Sequence, residues 1–212
     1  TVSMQGYADQ RGSYNVTSQN IVAVTSRVDK TARINSNRHK GGIVWLTGLS
    51  GAGKSTIAVE VEQQLFLKGY QVYVLDGDNI RFGLSADLGF SPEDRTENIR
   101  RVGEVAKLFA EAGLLIITAF ISPYRHDRDR VRTISPEIFH EVFIKADLSI
   151  CEDRDPKGLY ARARNGEIPE FTGITAPYEE PDNAELIIDT SKLDVDQSAI
   201  ALLDYIGKRF KS

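Results

Sequence analysis

The sequence predicts an α/β fold, a mostly parallel five-stranded sheet with helices on both faces. Three observations predict it. From Gly42 onward, short apolar runs alternate with stretches of helical periodicity, the pattern of parallel strands joined by crossover helices. A glycine-rich loop, GLSGAGKST, joins the first apolar run to the first helical stretch. The 212 residues, 41% of them hydrophobic, suffice for one domain with a sizeable core.

The elements follow in order. Residues 1–40 are polar and rich in Ser, Thr, Asn and Arg. They read either as a disordered tail or as an arm with one short strand or hairpin at IVAVTSRV, suited to packing on a partner subunit. Residues 41–212 form the domain. Strands are expected at 43–47, 71–75, 114–121, 141–145 and 185–189. After the glycine-rich loop, Ile57, Val61 and Leu65 recur every four residues, the spacing of one helix face. GFSPEDRTEN carries a helix start, with Ser91 as N-cap, Pro92 in the first turn and Asp94 three residues after the cap. ISPYR repeats the Ser-Pro arrangement at Ser122–Pro123 and reads as a second N-cap. Ile99, Val102, Ala106 and Phe109 share one face, as do Val195, Ala199, Leu202 and Ile206. YRHDRDRVR is basic, but Asp127 and Asp129 interrupt it, so it reads as a solvated helix face.

Composition narrows the function. A formal net charge of −4 argues against a nucleic-acid footprint. The single cysteine, Cys151, excludes an internal disulfide framework. No apolar run reaches the length of a membrane span and no signal peptide opens the chain, so a cytoplasmic protein is expected. The sequon at Asn15-Val16-Thr17 is then a chance match. The chain opens on Thr1 rather than Met, as a piece of something longer would. His39, His126 and His140 show no pattern for metal or nucleophilic chemistry.

The loop fits G-x-x-x-x-G-K-[ST], the phosphate loop of P-loop proteins. Gly48, Leu49, Ser50, Gly51, Ala52, Gly53, Lys54, Ser55 and Thr56 form it, and they are the expected ATP-binding residues. Glycines let successive N–H groups point inward as an anion cradle, and the following helix N-terminus adds partial positive charge. Lys54 is placed to reach the β- and γ-phosphates, and the Ser55 hydroxyl to ligate Mg²⁺. No N-K-x-D base-recognition sequence of a GTPase is present.

VYVLDGDNIR ends a strand beside that loop. Asp76 or Asp78 there can hold Mg²⁺ or accept the proton of an attacking hydroxyl. Ligands of open α/β sheets bind beyond the carboxyl ends of the strands, where this segment, ISPYR and DRDPKGLYARAR all fall. Arg81, Arg95, Arg100 and Arg101 follow closely, and guanidinium groups bind oxyanions by paired donors. Not all four can be ligands. KGLYARARNGEIPEFTGI, residues 157–174, reads either as a mobile lid bringing Lys157, Arg162 or Arg164 over the phosphates, or as a surface helix and loop.

TGLSGAGKST, DGDNIR, LGFSPEDRTENIRR, FISPYR, DPKGLYARAR and FTGI occur in an order and spacing that resemble adenylyl-sulfate kinases, also called APS kinases. The resemblance runs from about Gly42 to the last helix. It implies a P-loop kinase fold and transfer of the γ-phosphate of ATP, with Mg²⁺, to the 3′-hydroxyl of adenosine 5′-phosphosulfate. It implies Asp78, Lys54 and Ser122 as the catalytic group and Ser55 and Asp76 as metal ligands. An acceptor site of Asp78, Asn79, Ile80, Arg81, Phe90, Arg95, Asn98, Ile121, Ser122, Lys157 and Phe171 is implied too, with Phe90 and Phe171 sandwiching the adenine. In parts of the family Ser122 is a phosphoserine intermediate. In-line transfer needs no covalent enzyme, so a binding role is expected here. One departure stands out: family members often have Gly before the FTG phenylalanine, and this chain has Glu170. A homodimer, and an attached or associated ATP sulfurylase, are among the implied partners. The competing readings are another small-molecule P-loop kinase and a non-catalytic nucleotide-binding module of a sulfate-activating enzyme.

Overall fold

A computed structural model describes residues 24–212. The sequon at residues 15–17 and the start of the stretch at 21–28 lie outside the described residues. Residues 24–28 form no strand. The chain instead enters helix α1 (Lys30–Asn37), capped by Asp29, whose side chain accepts from Ala32 N. Arg33 and Asn37 donate from this helix to the carbonyls of Ala112 and Gly113. Within the expected arm, residues 30–37 are thus docked on residues 112–113 of the domain.

Strands β1 (Gly42–Thr47), β2 (Val72–Asp76), β3 (Leu115–Ala119), β4 (Phe139–Lys145) and β5 (Leu186–Asp189) form one parallel sheet in the order β2-β3-β1-β4-β5. Side chains alternate across it. Val44 and Leu46 of β1 face one apolar layer, shared with Ile57, Val61 and Leu65 of α2 (Lys54–Leu67) and Ala199, Leu202 and Ile206 of α8 (Val195–Arg209). Ile43 and Trp45 face the other, with Ile99, Val102 and Ala106 of α4 (Pro92–Glu111) and Val131 of α5 (Arg125–Ile134). Among the described residues three short helices remain: α3 (Gly77–Arg81), α6 (Leu148–Arg154) and α7 (Leu159–Arg164).

Several expectations are corrected. Phe109 is 41% exposed and Val195 44%, so each sits off the buried face of its helix. Val195 is the first residue of α8 and lines the large cavity described below. The third strand ends at Ala119 rather than 121, because the chain bends away after Phe120 N bonds Leu46 O. The fourth strand begins two residues earlier than expected, at Phe139. Helix α5 starts at Arg125 with Tyr124 at its N-cap position, so Ser122 is not the N-cap its Ser-Pro sequence suggests. Ser91 does cap α4, accepting from Asp94 N at 3.2 Å.

Candidate functional site

The carboxyl ends of β1, β2, β3 and β5 open on one cavity of about 1470 Å³, which the chain after β4 joins from Arg154 onward. Strand order decides its layout. The phosphate loop leaves β1 at the centre. The β2 end, with α3 and the start of α4, lies on one side, and the β5 end with the start of α8 lies on the other.

The loop needs glycine at defined places. Gly48 has φ 149°, and a Cβ there would lie 2.3 Å from Ile144 O. Gly53 has φ 97° and turns the chain into α2, whose first residue is Lys54. The loop thus delivers free N–H groups of a 14-residue helix to the cavity. Ser50 to Thr56 line it, whereas Gly48 and Leu49 lie behind and present carbonyls. Lys54 donates to Gly48 O at 2.8 Å and Leu49 O at 2.7 Å, and it is only 8% exposed. Burial pulls its pKa down from 10.5 to about 8, against the opposing pull of the Asp76 carboxylate.

Asp76 closes β2 and does two jobs. One carboxylate oxygen accepts from Asp78 N at 3.0 Å, capping α3, and the other accepts from Ser55 Oγ at 2.7 Å. Ser55 and Asp76 therefore bring two hard oxygen donors together at the loop. Among the described residues no cluster of three or more His, Cys, Asp or Glu stands ready for a metal ion. The pair fits Mg²⁺, which keeps waters and phosphate oxygens as its remaining ligands. Asp78 faces the cavity and forms an ion pair with Lys157 from across it.

Beyond Asp78 the wall is aromatic and cationic. Arg81 stacks on the ring of Phe90 at 4.2 Å and donates to the carbonyls of Leu88 and Gly89. Arg95 uses three guanidinium nitrogens, on Phe90 O, Thr172 Oγ1 and Glu170 O. It thereby joins the loop carrying Phe90 to the turn carrying Phe171. Glu170, where glycine was expected, has φ 53°. Asn79, Asn98, Ile121 and Phe171 line the same region. Ile80 does not, since its side chain packs against the apolar layer under α4. Arg100 and Arg101 also lie outside the cavity. They pair with Glu97, and Arg101 with Asp87 as well. Arg162 lines the cavity beside Glu167, while Arg164 points away and pairs with Glu152.

Ser122 lies on the floor of this half and is 2% exposed. Its hydroxyl accepts from Trp45 Nε1 at 3.1 Å and donates to Thr47 Oγ1 at 3.0 Å. With both hydrogen-bonding directions taken inside the protein, the hydroxyl is not presented as a nucleophile.

The other half of the cavity was not legible as a site. Leu193, Asp194, Val195 and Ser198 line it, with Thr190 and Arg154. Thr190 Oγ1 donates to Ala52 O at 2.9 Å, and Arg154 holds Thr190 O at 2.6 Å. Tyr160 OH braces the loop from Ser50 O at 2.9 Å. Only DRDPKG, as part of a basic segment, hinted at this wall.

Comparison with known proteins converges on one family. The family model for Adenylylsulphate kinase matches residues 40–189. The adenylyl-sulfate kinase of Bacillus pumilus is 57% identical over 197 residues, 92% of this chain and 100% of that one. That of Bacillus velezensis is 56% identical over 192 residues, 90% of this chain and 98% of that one. Among solved structures, the Mycobacterium tuberculosis APS kinase CysC in complex with AMPPNP and APS superimposes with a TM-score of 0.75. It is 49% identical and covers 78% of this chain and 96% of that one. With the family model spanning well over half of its length, the chain belongs to the adenylyl-sulfate kinase family of P-loop kinases.

Proposed function

We propose that the chain transfers the γ-phosphate of ATP to the 3′-hydroxyl of adenosine 5′-phosphosulfate (APS), giving 3′-phosphoadenosine 5′-phosphosulfate. The observation that carries this reading is the shared cavity. One half is a phosphate loop with its lysine, and the other brings Asp78 together with Phe90, Phe171, Arg81, Arg95 and Lys157. An adenine needs flat apolar faces and a phosphosulfate needs Arg and Lys.

In this reading the ATP phosphates lie on the loop from Ser50 to Thr56, with its nucleoside toward Arg154, Leu193 and Val195. Lys54 offsets negative charge gathering on the transferring phosphoryl group. Mg²⁺, where held by Ser55 and Asp76 with the nucleotide, would supply further charge neutralisation. Asp78 orients the acceptor hydroxyl and takes its proton late in transfer. One face of Phe90 is covered by Arg81, so the adenine takes the opposite face, toward Phe171. The phosphosulfate competes with Asp78 for Lys157, freeing the carboxylate as the acceptor arrives. Residues 157–174 close as a lid and exclude water as a competing acceptor. Ser122 serves in binding rather than as a phosphoserine, because its hydroxyl is enclosed.

The same reading carries a homodimer, a cytoplasmic setting and association with ATP sulfurylase. No helix among the described residues is long and apolar enough to cross a membrane. A coupled assay with ATP, Mg²⁺ and APS tests the function. Turnover well above an acceptor-free control is expected. ATP hydrolysis unchanged by APS, or transfer to a sugar acid in its place, would refute it.

A further inference from the structure

Arg128 is among the largest fully enclosed side chains of the protein, 1% exposed, and lies one layer beneath the cavity wall. A buried guanidinium must have its charge balanced and its donors used. Glu141 of β4 balances it through Nε at 2.6 Å. The two remaining nitrogens go elsewhere: Nη1 donates to Ser122 O at 2.6 Å, and Nη2 to Glu179 O at 2.7 Å. Neither carbonyl belongs to a helix or strand. Each belongs to an irregular segment that has no ladder to fix it.

The first of these segments is a wall of the acceptor half; the second leaves that wall after Phe171 and Thr172 and runs on outside the cavity. The first, residues 120–123, follows β3, which lies between β2 and β1, so it runs between Asp78 and the phosphate loop. Ser122 within it has φ 42°, in the left-handed region that non-glycine residues adopt only when their surroundings hold them there. The second segment continues from the turn that carries Phe171. Ala176 N bonds back to Phe171 O, Tyr178 OH meets Thr47 Oγ1 at 3.0 Å, and Glu179 N donates to Pro123 O at 2.9 Å. The floor and the continuation of the Phe171 turn are thus joined at Pro123 and Glu179, with one arginine bonded to both segments.

We propose that Arg128 is a positioning residue for the acceptor nucleotide. By holding Ser122 O and Glu179 O together, it sets the spacing between the 120–123 floor and the wall that carries Phe171. The proposal rests on the acceptor reading given above. Lysine keeps the charge that Glu141 requires, but its single ammonium cannot reproduce the planar fork that reaches two carbonyls in different directions.

The test is Arg128→Lys, with dissociation constants for APS and for ADP measured separately. APS should bind about tenfold more weakly or worse, the effect of removing one charge-assisted hydrogen bond. ADP binding should stay within about twofold, since the phosphate loop is untouched. Equal weakening of both ligands, or a lower melting temperature with unchanged APS binding, would overturn the proposal and leave Arg128 a packing residue. Amide exchange on the unaltered, ligand-free chain supplies a second arm that no folding failure can spoil. Glu179 N should be protected to the level of the sheet, and rapid exchange there would equally overturn the tether. This arm uses no nucleotide, so it is separable from a failure of the chain to bind APS, which would count against the function itself.

Discussion

Nucleotide binding should take up a proton near pH 8.5 and almost none at pH 7, because of Lys54. Burial holds this ammonium at about 8, against 10.5 for an exposed lysine. The difference of 2.5 units, at about 1.36 kcal/mol each, is about 3 kcal/mol against the charged form in the empty protein. The folded chain then binds fewer protons than the unfolded one between about pH 8 and 10.5, so this cost is fully present below pH 8 and is relieved as pH rises through that window. Phosphates reverse the balance. A nucleotide seated on the loop draws the ammonium from Gly48 O and Leu49 O and returns its pKa upward. At pH 8.5 about a quarter of free Lys54 is charged, so ADP binding should take up about three quarters of a proton; at pH 7 the figure is about a tenth. The ligand's terminal phosphate has already lost its proton at pH 8.5. Cys151, whose thiol burial pushes up, stays protonated. Calorimetric titration of ADP in two buffers of different ionisation enthalpy reads the proton count directly. Lys54→Arg, charged at both pH values, should show none. Uptake below about 0.2 proton at pH 8.5, or the same uptake in Lys54→Arg, would refute the reasoning.

Other predictions follow from the acceptor half. Asp78→Asn keeps shape and removes charge, so kcat should fall by about 10²–10⁴ with acceptor binding changed much less. Asp76→Asn should instead be partly restored by raised Mg²⁺. Full kcat in Asp78→Asn, or its rescue by Mg²⁺, would remove Asp78 from the role of base. Arg95→Ala should weaken APS by about 1.5–3 kcal/mol and leave ADP unaffected, because Arg95 ties the loops of Phe90 and Phe171 together. Dissociation constants for the two ligands decide it. Glu170→Gly should raise stability by about 1 kcal/mol in chemical denaturation. Relief of a left-handed residue at φ 53° outweighs the added chain entropy of glycine there. A loss of stability would show that the Glu170 side chain contributes more than its backbone costs.

Much of the fold was legible because its signals are local. Val44 and Leu46 against Ile43 and Trp45 is an alternation within one strand, and Ile57, Val61 and Leu65 is a period within one helix. The phosphate loop is local too, since strand, glycines and helix start follow one another and each needs its own residue type. Misses cluster where a neighbour distant in sequence decides. Phe109 has the spacing of a core residue, but the apolar layer under α4 does not extend far enough to cover it. Helix α1 has one local signal, its Asp29 cap, and what docks it is two donors reaching Ala112 and Gly113, more than seventy residues away.

Ser122 shows how such a distant decision reaches the chemistry. Ser-Pro is a sound helix start by local rules, and those rules predict an exposed hydroxyl beside N–H groups. Trp45, Thr47 and Arg128 impose a different answer. Two of them close over the hydroxyl, and the third draws the Ser122 carbonyl down so that the backbone turns left-handed. None of the three is near Ser122 in sequence except Arg128, six residues on, where it reads as one more charge on a solvated helix face. The same residues that bury the hydroxyl leave Asp78 in the cavity, paired with a lysine that an anionic acceptor can take away. Asp78 follows directly on the strand end that binds Ser55 of the phosphate loop. Asp76 bonds both Ser55 Oγ of the phosphate loop and the N–H of Asp78, and so links the two halves of the cavity. A change there should disturb both, whereas changes at Asp78 or Lys54 should disturb one at a time.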